Sequence, residues 1–179
     1  MARSENAVVA VVCGGTSAEA GVSRVSGRGV ADALAATYRH VVTLEFDNAI
    51  ADALREARPD VVFPVLHGPP GEDGTFQGFL ETLGLPYVGS GVQASAFAMN
   101  KVVAKALFAR AGLPLARDVV IRRGDATAAA LDDVLVRLAP RVVVKPASQG
   151  SAVGVRFANT TAELAAAVRA AHEFDDAAL

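Results

Sequence analysis

The chain has 179 residues, of which 52% are hydrophobic and 20% are charged, and its net charge is -2. This is the composition of a soluble, core-forming protein of one domain or two small ones. Without a basic patch it does not favour nucleic acid or an anionic membrane as a partner. The single cysteine, Cys13, excludes an internal disulfide, and its apolar surroundings predict a buried structural thiol. The apolar run near the N-terminus is too short for a signal peptide or a membrane span, so we expect a cytoplasmic protein.

The first half of the chain alternates apolar runs with amphipathic segments. The pattern predicts strands at residues 7–13, 41–46 and 61–66 and a short strand at 86–88. Helices are predicted at 22–36, 50–57 and 76–83. Strands that alternate with helices imply βαβ units, so the predicted fold class is α/β with a doubly wound, mostly parallel sheet.

The pattern changes after the sequence Gly89-Ser90-Gly91, and we place a domain boundary near residue 98. One long helix is predicted over 93–111, then a strand (118–122), a helix (127–138) and a strand (141–146). A small-residue loop, a strand (154–158) and a helix (162–173) follow, the helix being introduced by a capping box of Thr160 and Glu163. Residues 177–179 resemble the start of another strand. These strands seem too few to close a core, which predicts an incomplete α+β domain.

Two loops of the first half end predicted strands and carry polar groups. The turn after Cys13, Gly14-Gly15-Thr16-Ser17-Ala18-Glu19, suits an anion at a helix N-terminus, or is simply a tight turn in which Ser17 or Thr16 caps the helix. His67 opens a Gly/Pro loop, where a ligand contact and a structural role are equally good interpretations. Glu72 and Asp73 precede a helix, which favours capping and loop shaping over catalysis.

Positive charge in this chain is carried mostly by arginine, and the lysines are Lys101, Lys105 and Lys145. A lysine supplies a compact point charge, which arginine does not. Lys145 ends a predicted buried strand beside the loop ASQGSAV, so the lysine charge and the loop amides together suit a phosphate. A flexible hairpin turn is the alternative. The loop is not a Walker A sequence, and the Gly14 turn lacks the dinucleotide fingerprint.

Three strings of residues together resemble one known family. They are VVCGGTSAEAGVS, then VLHGPPGEDGTFQGFLETLGLPYVGSGVQASAFAMNK, then RVVVKPASQGSAVGV. In order and spacing they resemble the D-alanine–D-alanine ligases of the ATP-grasp superfamily, and the second string is the most specific. The resemblance implies that residues 1–98 are the amino-terminal α/β domain, which binds the first D-alanine. Residues 99–179 would be part of the central domain on one side of the ATP cleft.

The family resemblance also implies a reaction and a set of site residues. ATP phosphorylates one D-alanine, and the amine of a second D-alanine attacks the acyl phosphate, which supplies D-alanyl-D-alanine for peptidoglycan, cell wall biogenesis and cell shape. Magnesium bridges the phosphates. The implied catalytic residues are Glu19, which orients the first D-alanine, and Ser151, at the second substrate. His67 would lie near the first substrate's carboxylate. The implied ATP-binding residues are Lys101, Lys145, Ser148 and Gly150, of which the last three belong to or adjoin a mobile loop that closes over the phosphates.

The sequence departs from the family pattern at Gly21, Pro70, Asn100 and Ala152. Family members also carry a carboxy-terminal domain of comparable size, which supplies the magnesium ligands and half of the ATP cleft. That domain is absent from these residues, so the resemblance implies no metal ligand here and no ligation of D-alanine by this chain alone. The alternative is a non-catalytic fragment or a small-molecule binding module. The partners implied are D-alanine and ATP, with a homodimer left open.

Overall fold

The computed structural model describes residues 5–17, 19–138 and 141–179. Residues 1–4, Ala18 of the glycine turn and residues 139–140 therefore lie outside the described residues. The chain divides into two compact units, Met1–Ala96 and Phe97–Leu179. Among the described residues, no helix has the length and apolar character needed to cross a membrane.

Unit 1 is built on a parallel sheet whose strands are rich in valine, a β-branched residue. These are β1 (Val8–Cys13), β2 (His40–Glu45) and β3 (Val61–Pro64), in the order β2-β1-β3. Both neighbours of β1 are parallel to it, as the alternation of strands and helices predicts. The fourth predicted strand is a single parallel bridge between Val62 and Tyr87. The α/β fold with a mostly parallel sheet is therefore confirmed.

Helices cover both faces of this sheet. They are α1 (Ala20–Ala35), α2 (Ile50–Ala57) and α3 (Thr75–Thr82). Successive side chains of a strand point to opposite faces, and β1 follows this rule. Ala10 and Val12 belong to a buried cluster with residues of α2 and α3. On the other face α1 packs against Cys13, which is buried as predicted.

The described residues of unit 2 contain four short antiparallel strands. They are β4 (Ile121–Arg122), β5 (Val142–Val144), β6 (Arg156–Ala158) and β7 (Ala177–Ala178). β4 pairs with β7 and β5 pairs with β6, and a bridge between Pro146 and Ala178 joins the two pairs. Lys145 and Leu179 exchange backbone hydrogen bonds of 2.9 Å in both directions. Residues 177–179 thus pair as a strand.

The prediction that unit 2 has too few strands to close a core is wrong. Two helices, α6 (Ala128–Arg137) and α7 (Thr161–Ala171), lie against the strands. Together they enclose a buried cluster of small aliphatic side chains, which pack closely because most are alanine and valine. The helices are capped by Thr127 and Thr160, whose side chains accept from the amides of Ala130 and Glu163.

The single helix predicted over residues 93–111 is also wrong. The structure has α4 (Val92–Met99) and α5 (Lys101–Arg110), which are separated at Asn100. Asn100 has extended backbone angles, and its side chain accepts hydrogen bonds from the amides of Val102 and Val103. Asparagine is a preferred helix N-cap because it satisfies these otherwise unpaired amides, so a new helix begins here.

Candidate functional site

In unit 1, two serines tie the turn after β1 to the loop after β3. Ser23 Oγ accepts from the amide of Gly14 and donates to the carbonyl of Val65. Ser17 Oγ donates to the carbonyl of His67 at 2.9 Å. Of the two interpretations of this turn, capping of α1 by Ser17 or Thr16 is not confirmed: Glu19 is the N-cap without a side-chain cap, and Ser17 Oγ accepts from the amide of Glu19 itself at 3.3 Å. These hydroxyls instead align the carboxyl ends of two adjacent strands, where ligands bind in α/β folds.

Glu19 and the backbone beside His67 meet at these strand ends. A methyl group at Gly68 would lie 3.2 Å from Glu19 Oε2, so the carboxylate lies against the loop backbone. Nε2 of His67 is buried and has no hydrogen-bond partner among the described residues, which is unusual for a buried polar atom. His67 lines a shallow pocket with residues 14–17, Phe46 and residues 69–71. Its volume of about 10 Å³ leaves room for about one water.

The acidic pair that follows this loop binds backbone amides. Glu72 Oε2 accepts from the amide of Gly68 at 2.7 Å, and Asp73 Oδ1 accepts from the amide of Thr75 at 2.9 Å. Gln77 adds a buried hydrogen bond to the carbonyl of Gly71. Carboxylates used in this way shape the loop, which supports the architectural interpretation of both residues.

Unit 2 contains a cleft of about 600 Å³ that all three lysines line. This volume lies in the range of small-molecule pockets. Val142 and Val144 of β5 are buried, whereas Val143 and Lys145 lie on the other face of the strand and line the cleft. Strand alternation thus directs the Lys145 side chain to the cleft and the adjacent Val144 into the core.

Lys101 lies at the start of α5 and is held against the small-residue loop. Its Nζ donates to the carbonyl of Ala147 at 3.3 Å and to that of Gln149. Burial lowers the pKa of Lys101, and the nearby charge of Lys145 lowers it further, whereas the carboxylate of Asp175 raises it. The ammonium groups of Lys101 and Lys145 lie close enough to form a region of positive charge suited to a polyanion.

Lys105, the third lysine, differs from the other two. Its Nζ lies 2.6 Å from Asp118 Oδ1 and donates to the carbonyl of Ala116. Within residues 5–17, 19–138 and 141–179, neither Lys101 nor Lys145 forms an ion pair. Lys105 therefore fastens α5 to the segment that follows it, and the other two lysines are left to balance the charge of a ligand.

The loop Ala147–Gly154 carries the remaining predicted residues. Ser148 donates its amide to Asp175 Oδ2 at 2.7 Å and accepts at Oγ from Asn100 Nδ2 at 3.3 Å. Gly150 accepts from the amide of Val153 in a turn. Ser151 is exposed at the loop tip and has a φ of 45°. A non-glycine residue pays about 1–2 kcal/mol for such left-handed geometry, which suits a segment that changes conformation.

Sequence reasoning missed two residues of this cluster. From the sequence, Asn100 is only a departure from a family pattern, yet it caps α5, and its amide nitrogen also donates to Ser148 Oγ, which an ionised carboxylate could not do. The only sequence signal was an asparagine before a helical run. Asp175 was assigned to a plain loop, and nothing in the sequence distinguishes it from its neighbour Asp176. Among the described residues, no group of three or more His, Cys, Asp or Glu side chains could hold a metal ion.

Comparisons with known proteins agree with the sequence resemblance. The family model "D-ala D-ala ligase N-terminus" matches residues 46–90, and "D-ala D-ala ligase C-terminus" matches residues 107–179. D-alanine–D-alanine ligases of Geobacter sulfurreducens and Anaeromyxobacter dehalogenans are 44% and 46% identical over 168 and 161 residues. These alignments cover 94% and 90% of this chain but 52% of each relative, so the chain spans about half the length of these relatives.

Solved structures give the same result. The D-alanine–D-alanine ligase of Coxiella burnetii has a TM-score of 0.83 and 30% identity, over 97% of this chain and 62% of that one. The Bacillus anthracis ligase complexed with ATP has a TM-score of 0.80 and 28% identity, over 96% of this chain and 57% of that one. The parallel sheet and the lysine-lined cleft are thus parts of an ATP-grasp ligase fold. The chain belongs to the D-alanine–D-alanine ligase family.

Proposed function

We propose that this chain supplies the D-alanine side and part of the ATP side of a ligase that joins two D-alanines. The domain at residues 1–98 binds the first D-alanine, and residues 99–179 belong to the central domain. The observation that carries the proposal is the position of Lys101, which lines one cleft with Lys145 and also donates to the carbonyls of Ala147 and Gln149 in the small-residue loop. The product serves peptidoglycan precursor synthesis in the cytoplasm.

The lysines and the loop handle the phosphates of ATP in this proposal. The carboxylate of the first D-alanine attacks the terminal phosphorus, so an acyl phosphate forms and ADP leaves. Lys101 and Lys145 balance the negative charge that moves onto ADP, which is the electrostatic contribution that a fixed cation makes. Closure of the loop over the phosphates excludes water, which would otherwise hydrolyse the acyl phosphate. Ser148 and Gly150 place the loop against ATP.

Glu19, His67 and Ser151 orient the amino acids. Glu19 holds the loop at Gly68 and attracts the ammonium group of the first D-alanine, and His67 lies near its carboxylate. Because the pocket at His67 has room for about one water, the substrate would lie over these residues rather than within the pocket. Ser151 acts at the second D-alanine, whose amine attacks the acyl phosphate and displaces inorganic phosphate.

Magnesium needs ligands beyond those described here. The described side chains offer no cluster of three carboxylates or imidazoles, and Mg²⁺ is usually bound by carboxylates and substrate phosphates. We therefore derive no step through a metal ion held by this chain. The residues of this chain bind, orient and shield the reactants.

A chimera tests the proposal directly. Residues 1–179 are joined to the remaining carboxyl-terminal half of the Geobacter sulfurreducens ligase, which is 44% identical over the shared half. We expect ADP release that depends on D-alanine, and a loss of about 10²–10³-fold in Lys145→Met, the cost of removing one group that stabilises charge in a transition state. Arg122→Met, a change of charge on an exposed strand residue, is the control.

The 179-residue chain alone is measured beside the chimera. We expect no D-alanine-dependent ADP release from it, as for a binding module. A folded chimera that releases ADP at the same rate with and without D-alanine would reject the ligase proposal. Turnover at an ordinary enzymatic rate by the chain alone would reject the expectation that it is inactive by itself.

A further inference from the structure

The carboxylate of Asp175 joins parts of unit 2 close to Lys101. Asp175 lies in the turn between α7 and β7 and is half-buried. Its Oδ2 accepts from the amide of Ser148 at 2.7 Å, and its Oδ1 accepts from the amide of Ala177 at 3.1 Å. One side chain therefore fixes the first residues of the loop Ala147–Gly154 to the start of β7.

The same end of the loop is held from the other side by Lys101. Its amide donates to the carbonyl of Ala147 at 2.9 Å, and its Nζ donates to the carbonyls of Ala147 and Gln149. Lys101 holds the carbonyls of the loop and Asp175 holds an amide, so each uses the partner that its charge requires. The peptide between Ala147 and Gln149 is thereby fixed, whereas the tip beyond it has no such tether to Asp175.

We infer that Asp175 is a positioning residue for ATP, which orders the base of the phosphate loop and keeps its charge beside Lys101 without touching the nucleotide. The inference rests on the proposed function, because it assumes that the loop and Lys101 bind ATP. Asp176, the next residue along the chain, makes none of the contacts that define this positioning role of Asp175. The Asp176 side chain is 87% exposed and pairs with Arg123 at 2.9 Å.

The charges near Lys101 make the role of Asp175 measurable. Lys145 on the neighbouring strand end lowers the pKa of Lys101, as burial does, and Asp175 raises it. Removal of the Asp175 charge should therefore lower the pKa of Lys101. As the pH is raised, the variant would then lose affinity for ATP at a lower pH than the unaltered chain, because the amine of Lys101 must be protonated to bind phosphate. A residue that only maintained the fold would not move this pH dependence.

The test is calorimetric titration of the 179-residue chain with ATP across pH 6 to about 10, the range up to the ordinary pKa of lysine. Asp175→Asn keeps the shape of the side chain but replaces a charged acceptor with a neutral one. We expect ATP binding about tenfold weaker, because hydrogen bonds to charged groups are roughly twice as strong as neutral ones. Asp176→Asn, which makes the same change of charge, should leave the affinity and its pH dependence unaltered.

The outcomes separate the inference from the proposed function. If the unaltered chain binds ATP and Asp175→Asn matches Asp176→Asn in affinity and pH dependence, the positioning role is wrong and the proposed function stands. If the unaltered chain does not bind ATP, the titrations are repeated with the chimera, and a chimera that also fails to bind ATP makes both wrong. If Asp175→Asn does not fold, the inference is tested instead with Asp175→Glu and with hydrogen exchange of the Ser148 amide in the unaltered chain. Asp175→Glu should keep the pH dependence, and the amide of Ser148 should exchange slowly; exchange at the rate of an unstructured peptide would overturn the inference.

Discussion

At Gly27 α1 approaches the sheet closely, and Gly27→Ala tests that packing. A methyl group here would lie 2.6 Å from Cβ and 2.8 Å from Sγ of Cys13. Carbon atoms in contact prefer about 3.5–4.0 Å, so α1 or β1 must move by about 1 Å. Overpacking of this kind costs about 1–3 kcal/mol. Alanine also gains about 1 kcal/mol of helix propensity over glycine, so the net loss of stability should be about 0–2 kcal/mol.

Gly29→Ala on the same helix is the matched control. Gly29 is exposed, and nothing lies within 4 Å of the added methyl group, so only the gain in propensity of about 1 kcal/mol applies. The free energy of unfolding should then differ between the two variants by about 1–3 kcal/mol, the cost of the steric overlap alone. Subtracting one glycine-to-alanine change from the other removes most of the uncertainty in helix propensity.

Urea unfolding followed by tyrosine fluorescence measures this difference. The chain has no tryptophan, and both of its tyrosines, Tyr38 and Tyr87, lie in unit 1. The signal therefore reports the unit that contains α1 without a contribution from unit 2. If Gly27→Ala proves as stable as Gly29→Ala, the close packing of α1 on Cys13 is refuted.

Three further predictions concern a turn, a cap and an ion pair. Gly74→Ala should destabilise unit 1 by more than Gly84→Ala. Both glycines have a positive φ, which costs an alanine about 1–3 kcal/mol, but at Gly74 the methyl group would also lie 2.5 Å from the backbone oxygen of Val92. Equal urea midpoints for the two variants would contradict this. Thr160→Ala should cost α7 about 1 kcal/mol, measured by circular dichroism, and Thr160→Ser should restore it if the capping hydroxyl is responsible. The Arg24 guanidinium lowers the pKa of Glu45. The stability that this ion pair adds is therefore present above the ordinary pKa of glutamate and is lost as the pH falls through the lowered pKa of Glu45. The difference in the free energy of unfolding between the unaltered chain and Arg24→Gln should vanish in acid. A difference that stays constant with pH would show that the ion pair does not stabilise the fold.

The parts of the fold predicted from sequence were those set by local patterns. The continuous valine run of β1 and the alternation of strands with helices determine a parallel sheet, because such runs are stable only when both faces are buried. The helix α2 was predicted at its observed bounds, Ile50–Ala57, since its apolar residues recur with the helical period.

The errors arose where one side chain acts on a distant or competing partner. The residues around Asn100 all suit a helix, so periodicity predicted one helix, and the cap that divides it became visible only in the hydrogen bonds to Val102 and Val103. The core of unit 2 was missed although its strands were predicted, because the pairing of β4 with β7 and the bridge from Pro146 to Ala178 join residues that are far apart in the sequence. Asp175 differs from Asp176 only through contacts with Ser148 and Ala177, which no sequence spacing encodes.

The lysine side chains themselves test most directly the claim that Lys101 and Lys145 bind the phosphates of ATP. A chain labelled with ¹³C at lysine Cε gives one signal for each lysine, and the sequence has only Lys101, Lys105 and Lys145. Single substitution to arginine assigns each signal. Addition of ATP should shift the signals of Lys101 and Lys145, and that of Lys105 should move least because Asp118 already holds its ammonium group at 2.6 Å. Signals of Lys101 and Lys145 that stay unmoved in millimolar ATP, or a shift confined to Lys105, would contradict the account.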